Sequence, residues 1–93
     1  MPSYLVGQIN IKDDELWSKY IDDIEASLEL YDAQMIFKGN KEQLIAGTQK
    51  SSLVVKFFKC EELTSWFNSD NYQSTIPLRD EAANVSITTY QEY

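Results

Sequence analysis

Residues 59–91, KCEELTSWFNSDNYQSTIPLRDEAANVSITTYQ, decide the fold of this chain. Their apolar residues first recur at helical spacing and then alternate, which predicts two short helices followed by a closing strand. Within the stretch lies Arg79, the only arginine of the protein. The helical period assigns Arg79 to the buried side of a helix, so its chemistry needs an explanation that packing alone does not give.

Two helices are expected before the closing strand. Leu63, Trp66 and Phe67 have the three-and-four spacing of a short amphipathic helix. Asp70, with Gln73 three residues later, resembles a capping box that opens the second helix.

Pro77 falls within that second helix. Because proline lacks an amide donor and its ring clashes with the carbonyl four residues earlier, we expect either a kink or a helix that restarts with Pro77 in its first turn. In a continuous helix Arg79 lies on the apolar arc, about 20° from Tyr72 and about 40° from Ala83.

A guanidinium on an apolar arc needs a partner. Burying it without one would threaten a domain whose net stability is about 5–15 kcal/mol. One interpretation is that Arg79 binds an anion, because the arginine fork matches carboxylate or phosphate in a bidentate way. The alternatives are a salt bridge to one of the fifteen carboxylates, or a side chain that reaches solvent past Pro77.

The rest of the chain predicts one long helix and further strands. Ser3–Lys12 alternates in the two-residue period of a strand. Over Asp14–Leu30 the apolar residues share one arc of about 140°, which is typical of a helix laid on a sheet. Ser52–Lys59 is β-branched and aromatic on both faces, so both faces of that strand should be covered. The remaining strands are predicted at Ala33–Lys38, Glu42–Ala46 and Val85–Tyr90, with a turn at Gly39-Asn40.

The predicted order is β-α-β-β-β-α-α-β, an α+β domain with an open, antiparallel-rich sheet and helices on one face. The other face, called the open face below, would leave a half-apolar surface in water, which favours a partner. We therefore expect a homodimer built from two sheets packed face to face. The residues assigned to the open face are Tyr4, Val6, Gln8, Asn10, Ile36, Lys38, Val54, Lys56, Phe58 and Tyr90.

Composition restricts the function classes. The 93 residues are enough for a single domain, residues 1–93. A net charge of −7 without a basic cluster disfavours nucleic acid and anionic membranes as partners. No apolar stretch approaches the ~18 residues of a spanning helix. The single Cys60 and the lack of a signal-like start favour a cytoplasmic location.

The chain has no histidine, the commonest general base and metal ligand. Cys60 lies beside Glu61 and Glu62, which should favour the neutral thiol, so we interpret it as structural. The carboxylate runs Asp13-Asp14-Glu15 and Asp22-Asp23 have no calcium-loop spacing and suit a solvated helix face. No metal or cofactor is therefore indicated.

Polar groups of the open face form a second candidate site. A mainly apolar space with a few convergent polar groups is how small-molecule sites are made, although interface hydrogen bonds or solvated side chains fit equally well. Tyr20, Trp66 and Tyr72 are interpreted instead as core aromatics, and the hydroxyls of the two tyrosines should find local hydrogen-bond partners. The polar candidates are Gln8, Asn10, Lys38, Lys56, Thr88 and Tyr90.

The segment Trp66–Gln73 (WFNSDNYQ), followed by Pro77-Leu78-Arg79 and Ala82-Ala83, resembles the signature of the domain-of-unknown-function thirteen-thirty family. This resemblance implies a ferredoxin-like protomer of the dimeric α/β barrel superfamily. It extends over nearly the whole chain, through Tyr4, Asp13, Tyr20, Lys38-Gly39, Gly47 and Leu53-Val54-Val55.

The chain departs from the family pattern at Asp32-Ala33, where a glycine pair is expected, at Ser52, where an arginine is common, and at Lys56, where an acidic residue is common. The last two change the charge of the expected cavity wall. The family has no settled activity, so the resemblance specifies fold and assembly more than function.

The sequence thus favours a dimeric barrel protein that binds a small anionic or carbonyl-bearing molecule between sheet and helices. Arg79 and Tyr72 are the expected recognition pair, with Asn10 and Lys56 lining the pocket. One alternative is a cofactor-free enzyme, such as an isomerase or a monooxygenase-like activity, which would depend on Tyr, Lys or a carboxylate with a shifted pKa. Another is a structural or partner-binding dimer whose cavity is filled by its own side chains.

Overall fold

The computed structural model describes residues 1–93 and contains four strands and four helices. The strands form one antiparallel sheet, and the helices pack on one of its faces, which confirms the predicted α+β class. In chain order the elements are β1 (Ser3–Ile11), α1 (Asp14–Leu28), β2 (Ala33–Asn40), β3 (Ser51–Phe57), α2 (Cys60–Phe67), α3 (Asp70–Gln73), α4 (Ile76–Ala82) and β4 (Ala83–Gln91). The sheet order is β2-β3-β1-β4.

Alternation along the strands decides which side chains meet the helices. In β1, Leu5 and Ile9 are buried, whereas Tyr4 and Val6, which point the other way, are only half-buried. The same alternation in β3 and β4 supplies the floor of one core, which α1 and α2 cover with apolar faces. Its buried members are Leu5, Ile9, Tyr20, Ile21, Ile24, Leu28, Leu53, Val55, Phe57, Leu63, Trp66, Tyr72 and Ala83.

The predicted strand at Glu42–Ala46 is wrong. Residues 41–50 form an irregular connection, and β2 continues through the expected turn at Gly39-Asn40. The physical reason is pairing: β3 takes the place beside β2 that a following strand would occupy, and residues 41–50 only connect these two paired strands. The connection closes with a hydrogen bond from the Lys41 amide to the Lys50 carbonyl, and Ile45 in its middle is 89% exposed.

A second prediction, that Lys38 lies on the open face, is wrong because β2 contains a β-bulge between Met35 and Phe37. One extra residue in β2 shifts the later side chains to the opposite face of the sheet. Lys38 therefore lies opposite the buried Leu53 on the helix-covered side, where its ammonium forms an ion pair with Glu25 of α1. Lys38 does not belong to the open face, whereas Phe37, which lies opposite Val54, does.

Of the two alternatives expected at Pro77, the structure shows a new helix that begins there, not a kink in a continuous helix. Pro77 occupies the first turn of α4, which is separated from α3. The cap of α3 is Ser69, one residue before the predicted Asp70, and its hydroxyl accepts a hydrogen bond from the Tyr72 amide at 3.2 Å. None of the four helices combines the length and the apolarity that crossing a membrane requires.

Candidate functional site

Arg79 lies on α4 with its side chain 18% exposed. Its Nη1 donates to the Tyr72 hydroxyl at 3.0 Å, and its Nε donates to Oδ1 of Asp80 at 3.1 Å. Burial by itself lowers the pKa of Arg79, but the Tyr72 hydroxyl and the Asp80 carboxylate outweigh it, and the net pKa is raised. The guanidinium is therefore a fixed positive charge.

Only part of the hydrogen-bonding capacity of Arg79 is used. A guanidinium has five N–H donors, and the two contacts above use one on Nε and one on Nη1. Nη2 has no protein partner, and no unpartnered side-chain nitrogen of the structure is buried. Nη2 is thus accessible from outside while the rest of the group is held by Tyr72 and Asp80.

Tyr72 connects Arg79 to the core. It is 1% exposed, its ring packs 4.3 Å from that of Trp66 and 5.2 Å from that of Phe67, and its hydroxyl lies 3.4 Å from that of Tyr20. Burial, followed by the proximity of Tyr72, raises the pKa of Tyr20 far above its ordinary value, so Tyr20 stays neutral. These contacts confirm the interpretation of Tyr20, Trp66 and Tyr72 as core aromatics and show local partners for the two tyrosine hydroxyls.

Arg79 opens onto a cleft of about 510 Å³ between α2 and the inner face of β1 and β4. We call it the Arg79 cleft, and Arg79 is the only charged residue of its wall. A cavity of about 20 Å³ lies behind it, shares Leu5, Val85 and Ile87 with it, and reaches Tyr20 and Tyr72. The wall consists of Leu5, Leu63, Thr64, Phe67, Arg79, Val85, Ile87 and Thr89.

The structure does not bring Asn10 and Lys56 to this cleft. Both lie on the open face, where Asn10 Oδ1 accepts from the Lys50 amide at 3.1 Å. The Lys56 ammonium lies 4.8 Å from the ring centroid of Phe58 and 5.9 Å from that of Tyr4. The four predicted ligand-binding residues therefore divide into two pairs on opposite faces, because strand alternation directs Asn10 and Lys56 away from the helices.

The cleft wall contains residues that sequence reasoning did not select for a site. Leu63, Thr64 and Phe67 come from α2, and Ile87 and Thr89 from β4. The helical spacing in α2 and the alternation in β4 were sufficient to place these side chains between helix and sheet. What the patterns lacked was any sign that the space between them is open.

Two other features, a depression beside β2 and the Cys60 thiol, are less suited than the Arg79 cleft to binding or catalysis. A depression of about 780 Å³ beside β2 contains a single cation, Lys38, which is already paired with Glu25. The Cys60 thiol donates to Glu61 at 3.1 Å, and this hydrogen bond raises the pKa of Cys60, which disfavours a nucleophilic thiolate. No three acidic or cysteine side chains lie close enough together to ligate a metal ion.

Solved structures of similar fold include proteins with and without a known activity. A hydroxynitrile lyase from Passiflora edulis has 11% identity and a TM-score of 0.79, over 99% of this chain and 94% of that chain. The cofactor-independent oxygenase SnoaB from Streptomyces nogalater has 3% identity and a TM-score of 0.71, over 99% and 93%. A dimeric ferredoxin-like protein of unknown function from Thermobifida fusca has 8% identity and a TM-score of 0.71, over 99% and 92%.

These identities are low, so the structural matches establish the ferredoxin-like fold alone. None of the curated proteins matches the sequence significantly. A family model, in contrast, matches residues 2–93. The resemblance inferred from the sequence is therefore confirmed, and the chain belongs to the family described as Domain of unknown function (DUF1330).

Proposed function

We propose that this protein binds a small anionic or carbonyl-bearing molecule in the Arg79 cleft. Of the predicted recognition pair, Arg79 contacts the ligand, and Tyr72, which is buried behind the wall, holds Arg79 in position. The observation that carries the proposal is the accessible Nη2 of Arg79, the one charged group in an otherwise uncharged wall. Tyr72 and Asp80 hold the guanidinium in place, so little side-chain freedom is lost when a ligand oxygen binds.

The chemistry of the wall supports an amphipathic ligand. Leu5, Leu63 and Phe67 offer apolar contact, and a hydrogen bond to a charged group contributes about 1.5–3 kcal/mol. The remainder of the chain carries an excess of carboxylates, which disfavours anion binding elsewhere on its surface. A compact carboxylate with an apolar body fits this combination.

Thermal shift and calorimetry with hexanoate and benzoate test the proposal, with hexanol as the uncharged control. Ligand at about 100 times its dissociation constant adds about 2.7 kcal/mol of stability, which is several degrees in a domain of this size. We expect a shift for both carboxylates that Arg79→Gln abolishes. Lys19→Gln, which removes an equal charge from an exposed position on α1, should leave the shift unchanged. Carboxylate binding that survives Arg79→Gln would place the site elsewhere, and no shift with either carboxylate would contradict the proposal.

We also propose that two copies associate through their open faces. Structures of the same fold are described as dimeric, and the open face exposes the large apolar residues Phe37, Phe58 and Tyr90 to water. Light scattering at micromolar concentration should report twice the mass of the chain, and a monomer mass would contradict this assembly. A cytoplasmic location stays a prediction that rests on the single Cys60.

A second candidate function is cofactor-free catalysis in the same cleft. The observation that favours it is the hydrogen-bonded line that joins the Tyr20 hydroxyl to the Tyr72 hydroxyl at 3.4 Å and the Tyr72 hydroxyl to Nη1 of Arg79 at 3.0 Å, since a positioned tyrosine can take part in proton transfer. A lyase and an oxygenase have this fold, although neither determines the chemistry of this chain. Turnover that Tyr72→Phe abolishes while the protein stays folded would support catalysis. Turnover unchanged in Tyr72→Phe would exclude this hydroxyl chain from it.

A further inference from the structure

The free edge of the sheet runs along the Arg79 cleft. β4 is the last strand of the order β2-β3-β1-β4 and pairs only with β1. Just beyond the ends of this pairing, the Lys12 amide donates to the Ala82 carbonyl at 2.8 Å and the Glu92 amide donates to the Pro2 carbonyl at 3.1 Å. Hydrogen-bonded pairs alternate with non-hydrogen-bonded pairs along an antiparallel ladder, so the even-numbered residues of β4 are those that bond β1.

It follows that the odd-numbered residues direct their backbone outward. Val85, Ile87 and Thr89 turn their N–H and C=O groups away from β1, toward a side where no further strand lies. The side chains of these same three residues line the Arg79 cleft. Unpaired backbone amides, an apolar floor and an accessible guanidinium therefore meet along one edge.

We propose that the ligand of the Arg79 cleft is a short extended peptide with a free C-terminal carboxylate, which adds to β4 as a further strand and places that carboxylate on Arg79. This inference rests on the proposed anion-binding role of Arg79 and names the class of molecule. Strand addition uses backbone hydrogen bonds for affinity and side-chain pockets for specificity, and this cleft offers both. An extended peptide also matches the charge of the wall, since its terminal carboxylate meets the only charged group there.

The position of Arg79 sets the direction of the peptide. A second cavity of about 380 Å³ shares Leu63, Thr64 and Thr89 with the cleft, continues toward Gln91 and does not include Arg79. Arg79 thus lies at the Val85 end of the edge, and a carboxylate bound there makes the peptide run antiparallel to β4. From Val85 to Thr89 the strand measures about 13 Å, which corresponds to about five peptide residues.

Alternation then predicts the side chains that the peptide presents. Residues opposite Val85 and Ile87 lie on the cleft side of the added strand, and these are the last residue and the third from the end. Both should be apolar, to contact Leu63 and Phe67. The residues between them face the other side and should tolerate polar side chains.

The probe is the pentapeptide Thr-Ser-Val-Ser-Leu with an N-terminal fluorophore and a free carboxylate, titrated with the full chain by fluorescence anisotropy. We expect saturable binding that weakens at least tenfold when the carboxylate is converted to the carboxamide. Methylation of the Val nitrogen removes the N–H that would bond to the Ile87 carbonyl and should also weaken binding at least tenfold. Methylation of the nitrogen of the Ser before Leu, an amide that faces away from β4, is the matched control and should have little effect. Equal effects of the two methylations would overturn strand addition.

A protein variant gives an independent measurement. Ile87→Pro removes an outward N–H without removing a hydrogen bond to β1, and Ile87→Ala shortens the same side chain while keeping that N–H. We expect a tenfold or greater loss of peptide binding for Ile87→Pro relative to Ile87→Ala; equal affinities would contradict the proposal. The N-methylated peptides keep the test valid if Ile87→Pro does not fold. If hexanoate binds and the pentapeptide does not, strand addition fails and the proposed function stands; if neither binds, the proposed function fails too.

Discussion

The two faces of the sheet are made by the same strands, yet only one of them is closed. On the helix side, Leu5, Val55 and Phe57 are at most 3% exposed, and the polar atoms enclosed there are paired, as where the Trp66 indole donates to the Ser27 hydroxyl at 2.8 Å. On the open face, Phe37 and Tyr90 are 52% and 56% exposed. The difference teaches that strand alternation distributes side chains to two faces, while the helices decide which face becomes a core.

Trp66→Ala should have the largest effect on this comparison. Trp66 is 2% exposed and packs against Phe57 and Tyr72, so its removal leaves a cavity. It also removes the indole donor to the Ser27 hydroxyl, which keeps its own hydrogen bond to the Ile24 carbonyl. We expect a loss of about 3–5 kcal/mol in the free energy of unfolding, measured by urea denaturation. Tyr90→Ala on the open face is the control and should cost less than about 1 kcal/mol when both variants are measured at about 1 µM protein, where little of the chain associates. Similar costs for the two substitutions would mean that the faces are not different in kind.

The neighbours Val54 and Val55 sharpen the comparison, because they are the same residue type on opposite faces of β3. Val55 is 1% exposed in the core, and Val55→Ala should cost about 2 kcal/mol at any protein concentration. Val54 is half-buried on the open face, so Val54→Ala should cost less than about 1 kcal/mol in the monomer.

The dependence on protein concentration shows whether the open face is covered by a second copy or exposed to water. If two copies cover Val54, the cost of Val54→Ala should be greater at about 100 µM protein than at about 1 µM, because association adds to the stability of the folded state. Denaturation curves at both concentrations measure this change. A cost equal to that of Val55→Ala at both concentrations would show that Val54 already belongs to a monomer core.

Alkaline pH should weaken the helix side through Tyr20. Burial raises the pKa of Tyr20 in the folded protein, so above about pH 10 the unfolded chain loses this proton while the folded chain keeps it. The unfolded state then binds fewer protons, and the stability of the fold falls by about 1.4 kcal/mol per pH unit in that range. Below about pH 10 both states keep the proton and Tyr20 adds no pH dependence.

Denaturation of the wild type and of Tyr20→Phe at pH 9, 10 and 11 isolates this effect. Phenylalanine has no ionisable hydroxyl, so the variant should lose less stability between pH 10 and pH 11. Tyr4→Phe, which removes a hydroxyl hydrogen-bonded to exposed Glu92, is the matched control and should follow the wild type. A wild type and a Tyr20→Phe variant with parallel pH profiles would contradict the assignment to Tyr20.

Much of the fold could be predicted from the sequence because local patterns and tertiary structure agree. The alternation in β1 and β3 assigned Leu5 and Val55 to one face and Tyr4 and Val54 to the other, and the structure keeps this division. The sequence also predicted that Arg79 and Tyr72 lie close together, and they form a 3.0 Å hydrogen bond, although the continuous helix assumed in that prediction is divided into α3 and α4.

The errors arise where tertiary pairing decides. Glu42–Ala46 has apolar residues, but β2 pairs with the later segment Ser51–Phe57 instead, and no local pattern reports which of two segments a strand will pair with. Asn10 and Lys56 were grouped with Arg79 because alternation separates two faces without indicating which of them borders a cleft. The bulge that redirects Lys38 comes from the register of β2 against β3, which involves residues far apart in the chain.

The prediction with the smallest expected effect concerns Lys38, which the bulge directs to the helix side. The ion pair between Lys38 and Glu25 is about half exposed, so we expect Lys38→Met to cost about 0.5 kcal/mol or less. A double-mutant cycle of Lys38→Met with Glu25→Gln should give a coupling energy of about 0.3–0.5 kcal/mol that 1 M salt removes by screening. The cycle of Lys56→Met with Glu25→Gln is the control and should give none, because Lys56 lies on the open face over Phe58, on the other side of the sheet from α1. No coupling between Lys38 and Glu25 at low salt would mean that β2 pairs without the bulge and that Lys38 points to the open face after all.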